Sequence, residues 1–369
     1  MMGDIEAMSH QVTVTLEHRD ALRLVWWTDG DINTAPEVYC MTMHPFGGIW
    51  SPSCANFTLH HTAEDYGAEF DADTVQAVLD NFYAYDCLKS VGTVEKAIRL
   101  VQQLCRLLSK GGFRLTKWIS NSRRVLDSTP DGEKAKELNS LNLDCESLPV
   151  ERAMGVAWNT ERDQFGITVK VKDKEFTKRG LLSVLSSVYD PLGIICPFVL
   201  NAKKIFQDEC RVTKTWDDSL SPLNCNRWKR WLKELALLEK FQLERCIVPS
   251  EFGEVVQCEL HHFSDASQYA YGAILINSRG QIHCALMLAR SRLSPMKSVT
   301  IPRLELMAAV IAVQLHSILS REMRLSVHRS VFWTGSMIVL QYIKNHARRF
   351  HTFVANRVAI LHDGSSPDQ

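Results

Sequence analysis

The 369-residue sequence has no C-x-x-C pair and no close Cys/His quartet among its 11 cysteines. That excludes a zinc site or disulfide framework legible from spacing and predicts reduced, mostly buried thiols. No run of about 18 apolar residues free of charge occurs, and the N-terminus lacks the basic-then-apolar pattern of a secretory signal. The expectation is an intracellular chain, cytoplasmic or nuclear, with no membrane partner. Net charge is absent too: 42 basic residues balance 42 acidic ones, which alone argues against a nucleic-acid partner.

The balance is uneven along the chain. Residues 1–95 hold 15 Asp or Glu against 3 Lys or Arg, which leaves 39 basic against 27 acidic residues in 96–369. Such an asymmetry suggests a polyanion-facing surface in the later part, ordinary solvated helix faces being the alternative. With 46% hydrophobic residues, and single cores that stop growing at roughly 250–300 residues, two or three globular units are expected.

Residues 81–90, NFYAYDCLKS, have the pattern of a short hairpin with Asp86 in the turn. In TVEKAIRLVQQLCRLLSKGGF (93–113), Ala97, Leu100, Val101, Leu104, Leu107 and Leu108 recur at helical spacing, with Thr93 placed to cap the start and Gly111-Gly112 to end it. The polar stretch 130–149 is the candidate linker. Residues 150–180 alternate like strands, as in FGITVKVKD (165–173), and NRWKRWLKELALLEKF (226–241) predicts an amphipathic helix. Its Trp228, Trp231 and Leu232 fit a core stripe better than a base-stacking face. From residue 255 three strands precede a long helix over 302–323, a strand SVFWTG and a helix MIVLQYIKN. That order is ribonuclease-H-like, though periodicity alone fixes only an α/β class.

Phosphoryl transfer on nucleic acids commonly uses two Mg²⁺ ions about 3.5–4 Å apart, and Mg²⁺ needs converging carboxylates. In the C-terminal part Asp265 (FSDAS) falls on the first strand and Glu305 (IPRLELMAA) on the first helix, while the next strand reads FWTGS and offers Gly335 where a third acid is needed. His261 and His262 read as strand residues rather than ligands.

The blocks NFYAYDCLKSV, RLLSKGGFRLTKWISNSRRVL, LPVERAMGVAW, SSVYDPLGIICPFVLNAKKIFQDECR, HHFSDASQYAYGAIL, IPRLELMAAV and RFHTFVANRVAIL together resemble the pol polyprotein of BEL/Pao-type retrotransposons, the Pao retrotransposon peptidase family. The resemblance runs over nearly the whole chain. It implies an α/β and α+β multidomain protein: a partial reverse-transcriptase palm and thumb over 1–128, a connection region over 129–250 and an RNase H-like domain over 251–369. It also implies that the fingers and first palm strand lie ahead of Met1 and the final RNase H acid beyond Gln369.

Carried over by position, the first palm acid is Asp4 in GDIEAMSHQV, and FGGIWSPSCANF (46–57), with Phe46, Gly47 and Trp50, is the segment that contacts template and incoming nucleotide. The YxDD hairpin falls on Tyr83, Ala84, Tyr85 and Asp86, so Tyr85 replaces its first acid. Phenols, with a reference pKa of about 10, are neutral at neutral pH and no substitute for a carboxylate on Mg²⁺. Asp265 and Glu305 match the RNase H acids, and Gly335 replaces the acid of a tryptophan-acid-serine motif. The catalytic and metal set is thus Asp4, Asp86, Asp265 and Glu305, with Mg²⁺ as the ancestral cofactor. Arg303, Arg348 and Arg349 are candidates for a phosphate backbone, or for a solvated helix face.

No D-T-G or D-S-G sequence occurs, so the peptidase of the family label has no motif here. The resemblance implies an ancestral RNA-directed DNA polymerase and RNase H acting on template-primer and RNA:DNA hybrid, inactivated at Tyr85 and Gly335. A non-catalytic nucleic-acid-binding module and a residual Mg²⁺-dependent RNase H are the alternatives, and oligomeric state stays open.

Overall fold

The computed structural model describes the whole chain except residues 136–137, 139–147, 149, 154, 170–173, 213–214, 250–251, 253–254, 267–269, 279–282, 324–325 and 346–348. The described residues form two compact units, Met1–Met154 with Trp158–Asp163, and Gly155–Ala157 with Gln164–Gln369.

In the first unit, strand β1 (Met2–Ile5) is followed by a two-stranded ribbon, β2 (Arg23–Trp26) and β3 (Glu37–Cys40), then helices α1 (Ser51–Tyr66) and α2 (Ala72–Asp80). A hairpin, β4 (Phe82–Tyr83) and β5 (Asp86–Leu88), leads to α3 (Val94–Lys110), β6 (Leu115–Ile119) and α4 (Arg123–Asp127). The strands β4-β5-β1-β6 form one sheet in that order. Thr93 caps α3 by accepting from the Lys96 N–H, and Gly112, at φ +82°, takes the chain out of the helix. The six apolar positions read from the α3 sequence are all buried and meet Leu59, Ala63, Val78 and Trp118 in one core. The hairpin differs from the sequence reading. Tyr83 pairs with Asp86, so the turn is Ala84-Tyr85 and Asp86 opens β5; a two-residue loop lets the ladder start immediately after Tyr85.

Short strands β7 (Val150–Ala153), β8 (Val156–Asn159) and β9 (Gln164–Gly166) come next. The strand expected over FGITVKVKD ends at Gly166, and part of that stretch, like most of the candidate linker, lies outside the described residues. Ala135, Leu138 and Leu148, which are described, are buried.

The second unit begins with three helices, α5 (Lys178–Ser187), α6 (Cys196–Cys210) and α7 (Pro222–Leu235), followed by β10 (Gln242–Glu244), which pairs with β9. Helix α7 starts four residues earlier than the sequence pattern indicates. The buried Glu209 carboxylate accepts from the Ser221 N–H and hydroxyl and from Asn224 Nδ2, which gives the first turn its partners. Trp228 and Trp231 are buried, their rings stacked at 4.8 Å, and the Trp231 indole donates to the Phe198 carbonyl at 3.0 Å. They are core, as their spacing predicts.

The remainder is an α/β layer. Strands β11 (Glu259–Ala266), β12 (Ala270–Ser278) and β13 (Ala285–Leu293) are joined to α8 (Ile301–Glu322), β14 (Arg329–Thr334), α9 (Met337–Lys344) and α10 (Thr352–Gly364). The sheet order is β13-β12-β11-β14, with β11 antiparallel to β12 and parallel to β14. Helix α8 is long and apolar enough to cross a membrane by length and composition, but half of its apolar window is buried. One of its faces packs with Met287, Leu288 and Phe332 of the sheet, and another with Val339, Val354 and Val358 of α9 and α10. A helix apolar on several faces is what a central core helix requires.

The loop before α6 is seated on β13. The Ala289 N–H donates to the Leu192 carbonyl at 2.8 Å, and Gly193, at φ +71°, lies so close that a Cβ there would stand 1.7 Å from the Ala289 oxygen. Gly193→Ala is therefore expected to lower the stability of this unit by about 1–3 kcal/mol, read as a reduced urea midpoint. An unchanged midpoint would show that the loop leaves β13 at no cost.

Candidate metal and nucleic-acid site

The palm candidates sit on the first sheet. Asp4 of β1 is directly opposite Asp86 of β5. On its other side β1 pairs with β6 through a bulge: Met2 faces Ile119, but Asp4 faces Thr116. The extra residue is Lys117, held at φ +53°, a conformation that costs a non-glycine residue about 1–3 kcal/mol. Bulges re-aim side chains, and here the Lys117 ammonium comes to 3.0 Å from Asp4 Oδ1. Burial raises the Asp86 pKa above the ordinary carboxylate value, the charge of Asp4 adds to the rise, and Lys117 opposes it.

Tyr85 is half exposed at the hairpin turn, where its neighbour Ala84 has φ +52°. The Ile5 N–H donates to the Tyr85 carbonyl at 2.9 Å, which ties the turn to β1. Tyr85, Asp4, Phe46, Gly47 and Lys117 line one open cleft. Phe46 is largely exposed with its ring edge-on to His10 at 4.5 Å, and Gly47, at φ +83°, turns the loop into α1. Trp50, half exposed, is not part of that lining, and neither is Asp86.

These residues do not fit a Mg²⁺ pair. Two carboxylates remain, one already neutralised by an ammonium, and the third position is a phenol. A divalent ion joining Asp4 would be repelled by Lys117 at close range. Lys117→Met is accordingly expected to tighten Mn²⁺ binding at least tenfold in an electron paramagnetic resonance titration, a gain that Asp4→Asn in the same variant removes. Binding by the unaltered chain as tight as by Lys117→Met would contradict this.

The second set lies on the later sheet. The parallel ladder of β11 and β14 runs in register to Ser264 opposite Thr334, so Asp265 and Gly335 are the next residues at the same strand ends. Glu305, in the first turns of α8, reaches the same place, for the Ser336 hydroxyl donates to Glu305 Oε2. Ser336 also accepts from the Val339 N–H and so caps α9. Asp265 is exposed, with Oδ1 accepting from the Ala266 N–H at 2.8 Å. A Cβ on Gly335 would meet nothing within 4 Å. The strand end thus carries two carboxylates and an open position, and among the described residues no group of three or more His, Cys, Asp or Glu is arranged to hold a metal.

Of the candidate phosphate contacts, Arg303 lies in the first turn of α8, two residues before Glu305. Its guanidinium lies 5.1 Å from the Phe353 ring centre, and Arg357 covers the same ring at 3.6 Å. Arg349 is exposed; Arg348 lies outside the described residues.

His261 and His262 are both β11 residues, as expected. His262 is fully buried against Phe332 and His316, and neither ring nitrogen has a partner among the described residues. Burial, with His316 and His261 adding, pushes its pKa down to about 3; burial also lowers that of His316. The unfolded chain therefore binds these protons more readily. Stability is full above the ordinary histidine value of about 6.5 and is lost as pH falls from there toward 3, by up to about 1.4 kcal/mol per pH unit for each proton. His262→Phe is expected to flatten this slope in chemical denaturation at successive pH values; an unchanged slope would place the acid sensitivity elsewhere.

The sequence reading missed Lys117 and Ser336. Lys117 carries no signal in the sequence: only the structure shows that both neighbours on each side of it in LTKWI are buried, which strict strand alternation cannot deliver without a bulge. Ser336 was visible only as part of a motif.

No curated protein matches the chain. Residues 177–336, from the Thr177 cap of α5 to the Ser336 cap of α9, match the family described as the Pao retrotransposon-like RNaseH-like domain, and the chain carries a Pao-type retrotransposon RNase H-like region.

Proposed function

We propose that the chain is part of a retrotransposon pol polyprotein, with a partial reverse-transcriptase palm and thumb in residues 1–128, a connection in 129–250 and an RNase H-like domain in 251–369, and that both ancestral centres are silent. The carrying observation is the strand end where Asp265, Glu305 and Gly335 meet. Two-metal hydrolysis of an RNA strand needs carboxylates on both ions, and the missing third leaves the attacking and leaving oxygens without their counter-charge. The palm reading rests on the cleft that joins Asp4, Phe46, Gly47 and Tyr85, and its silence on the neutral phenol that stands where the resemblance expects a carboxylate.

What this chain's residues still do is positional. Ser336 orients Glu305, Asp265 stands at the open end of β11, and Arg303 and Arg357 offer positive charge close to the α8 terminus, suited to a phosphate backbone. Mg²⁺, when bound to a complete site, would activate water and stabilise the leaving oxygen. The excess of basic residues after residue 96 and the Arg303/Arg357 pair favour a second reading, retained binding of nucleic acid without cleavage.

The test is Mg²⁺-dependent cleavage of a blunt, labelled RNA:DNA hybrid by the unaltered chain and by Gly335→Asp. The expected result is cleavage by the variant alone. Equal cleavage by both would overturn the role given to Gly335. Cleavage by neither, with hybrid affinity that falls steeply with salt, would favour binding without catalysis.

A further inference from the structure

Along β11 the even-numbered residues Leu260, His262 and Ser264 are buried beneath α8, so His261, Phe263 and Asp265 share the opposite face. The parallel register sets Trp333 of β14 beside Phe263. The two ring planes are nearly parallel, 6.0 Å between centres and 8° between planes, and the His261 ring lies nearly parallel to Trp333 at 6.2 Å and 16°. Phe263 is 39% and Trp333 50% exposed, so this is a row of ring faces open to solvent.

The row is held rigidly. The Trp333 indole N–H donates to His261 Nδ1 at 3.1 Å. Because the indole nitrogen can only donate, His261 carries its proton on Nε2, which points to Glu259 Oε2 at 3.2 Å. An exposed tryptophan ordinarily loses side-chain freedom when it binds; here the Glu259–His261–Trp333 chain has fixed its orientation beforehand.

We infer that His261, Trp333 and Phe263 form a base-stacking platform for a single-stranded stretch of RNA or DNA that continues from the strand end at Asp265 and Gly335. The inference rests on the nucleic-acid reading of that site. The occupant follows from continuity: Phe263 and Trp333 each lie two residues before Asp265 and Gly335 on the same face, so a strand reaching the candidate site passes over the rings. Stacking on aromatic side chains is indifferent to sequence and contributes about 1–3 kcal/mol per base, and exposed aromatics on a sheet face are an established way to take two or three unpaired bases. Arg329, exposed and opposite Glu259 at the far end of the row, supplies positive charge for a phosphate there.

The experiment measures binding of the full chain to a fluorescein-labelled 12-nucleotide oligo-uridine and to an abasic oligomer of equal length and charge, by fluorescence anisotropy. The oligo-uridine is expected to bind at least tenfold more tightly than the abasic oligomer. Trp333→Ala should remove that difference, and Trp333→Phe, which keeps a ring but loses the bond to His261, should retain part of it. Equal binding of the two oligomers by the unaltered chain would overturn the platform without recourse to any variant. So would self-association of the unaltered chain that Trp333→Ala abolishes in sedimentation velocity, because the face would then belong to a second copy. The blunt hybrid used for Gly335→Asp has no unpaired bases, so a failed platform leaves cleavage by that variant intact, and failed cleavage leaves the oligo-uridine preference to be scored on its own.

Discussion

Strands β11 and β14 are parallel neighbours, and a parallel pair cannot be closed by a tight turn. The chain must travel out through β12 and β13 and back along α8 before β14 can be laid down. That detour brings three distant stretches to one point: Asp265 at the end of β11, Glu305 at the start of α8 and Gly335 at the end of β14. It also makes α8 a central helix, apolar toward the sheet and toward α9 and α10 alike. Its composition therefore passes a membrane test for reasons that belong to the core.

The two candidate centres share a physical pattern. In each, a carboxylate expected from the family resemblance is missing, and a survivor is engaged within the protein. Asp4 is neutralised by Lys117 across a strained bulge, and Glu305 accepts from Ser336. Partly desolvated carboxylates left without a cation need such partners, because an unpaired one pays its desolvation in full. The Asp4/Asp86 pair suits a metal ion less well than the later set: Lys117 brings a positive charge to Asp4, whereas the space beside Gly335 is open.

Much of the architecture was legible in the sequence where a single period ran for many residues. Helix α3, with Thr93 and Gly112 at its ends, and the order of strands and helices after residue 255 are examples. So was the burial of Trp228 and Trp231. Legibility failed where tertiary partners set the outcome. Glu209 extends α7 to Pro222, a bulge turns Lys117 toward Asp4, and the Ala84-Tyr85 turn moves Asp86 into a strand. None of these depends on local propensity alone. The candidate acids came from motifs, and so did Ser336, but Lys117, which lies against Asp4, becomes visible only when separate strands are side by side.

The central claim is that Asp265, Glu305 and residue 335 converge on one point. Paramagnetic broadening by Mn²⁺ in isotope-labelled Gly335→Asp protein tests it most directly. The account predicts that the amide signals of Asp265, Glu305 and residues 334–336 broaden first and together. Broadening that reaches only one of these stretches, or centres on another part of the chain, would contradict it.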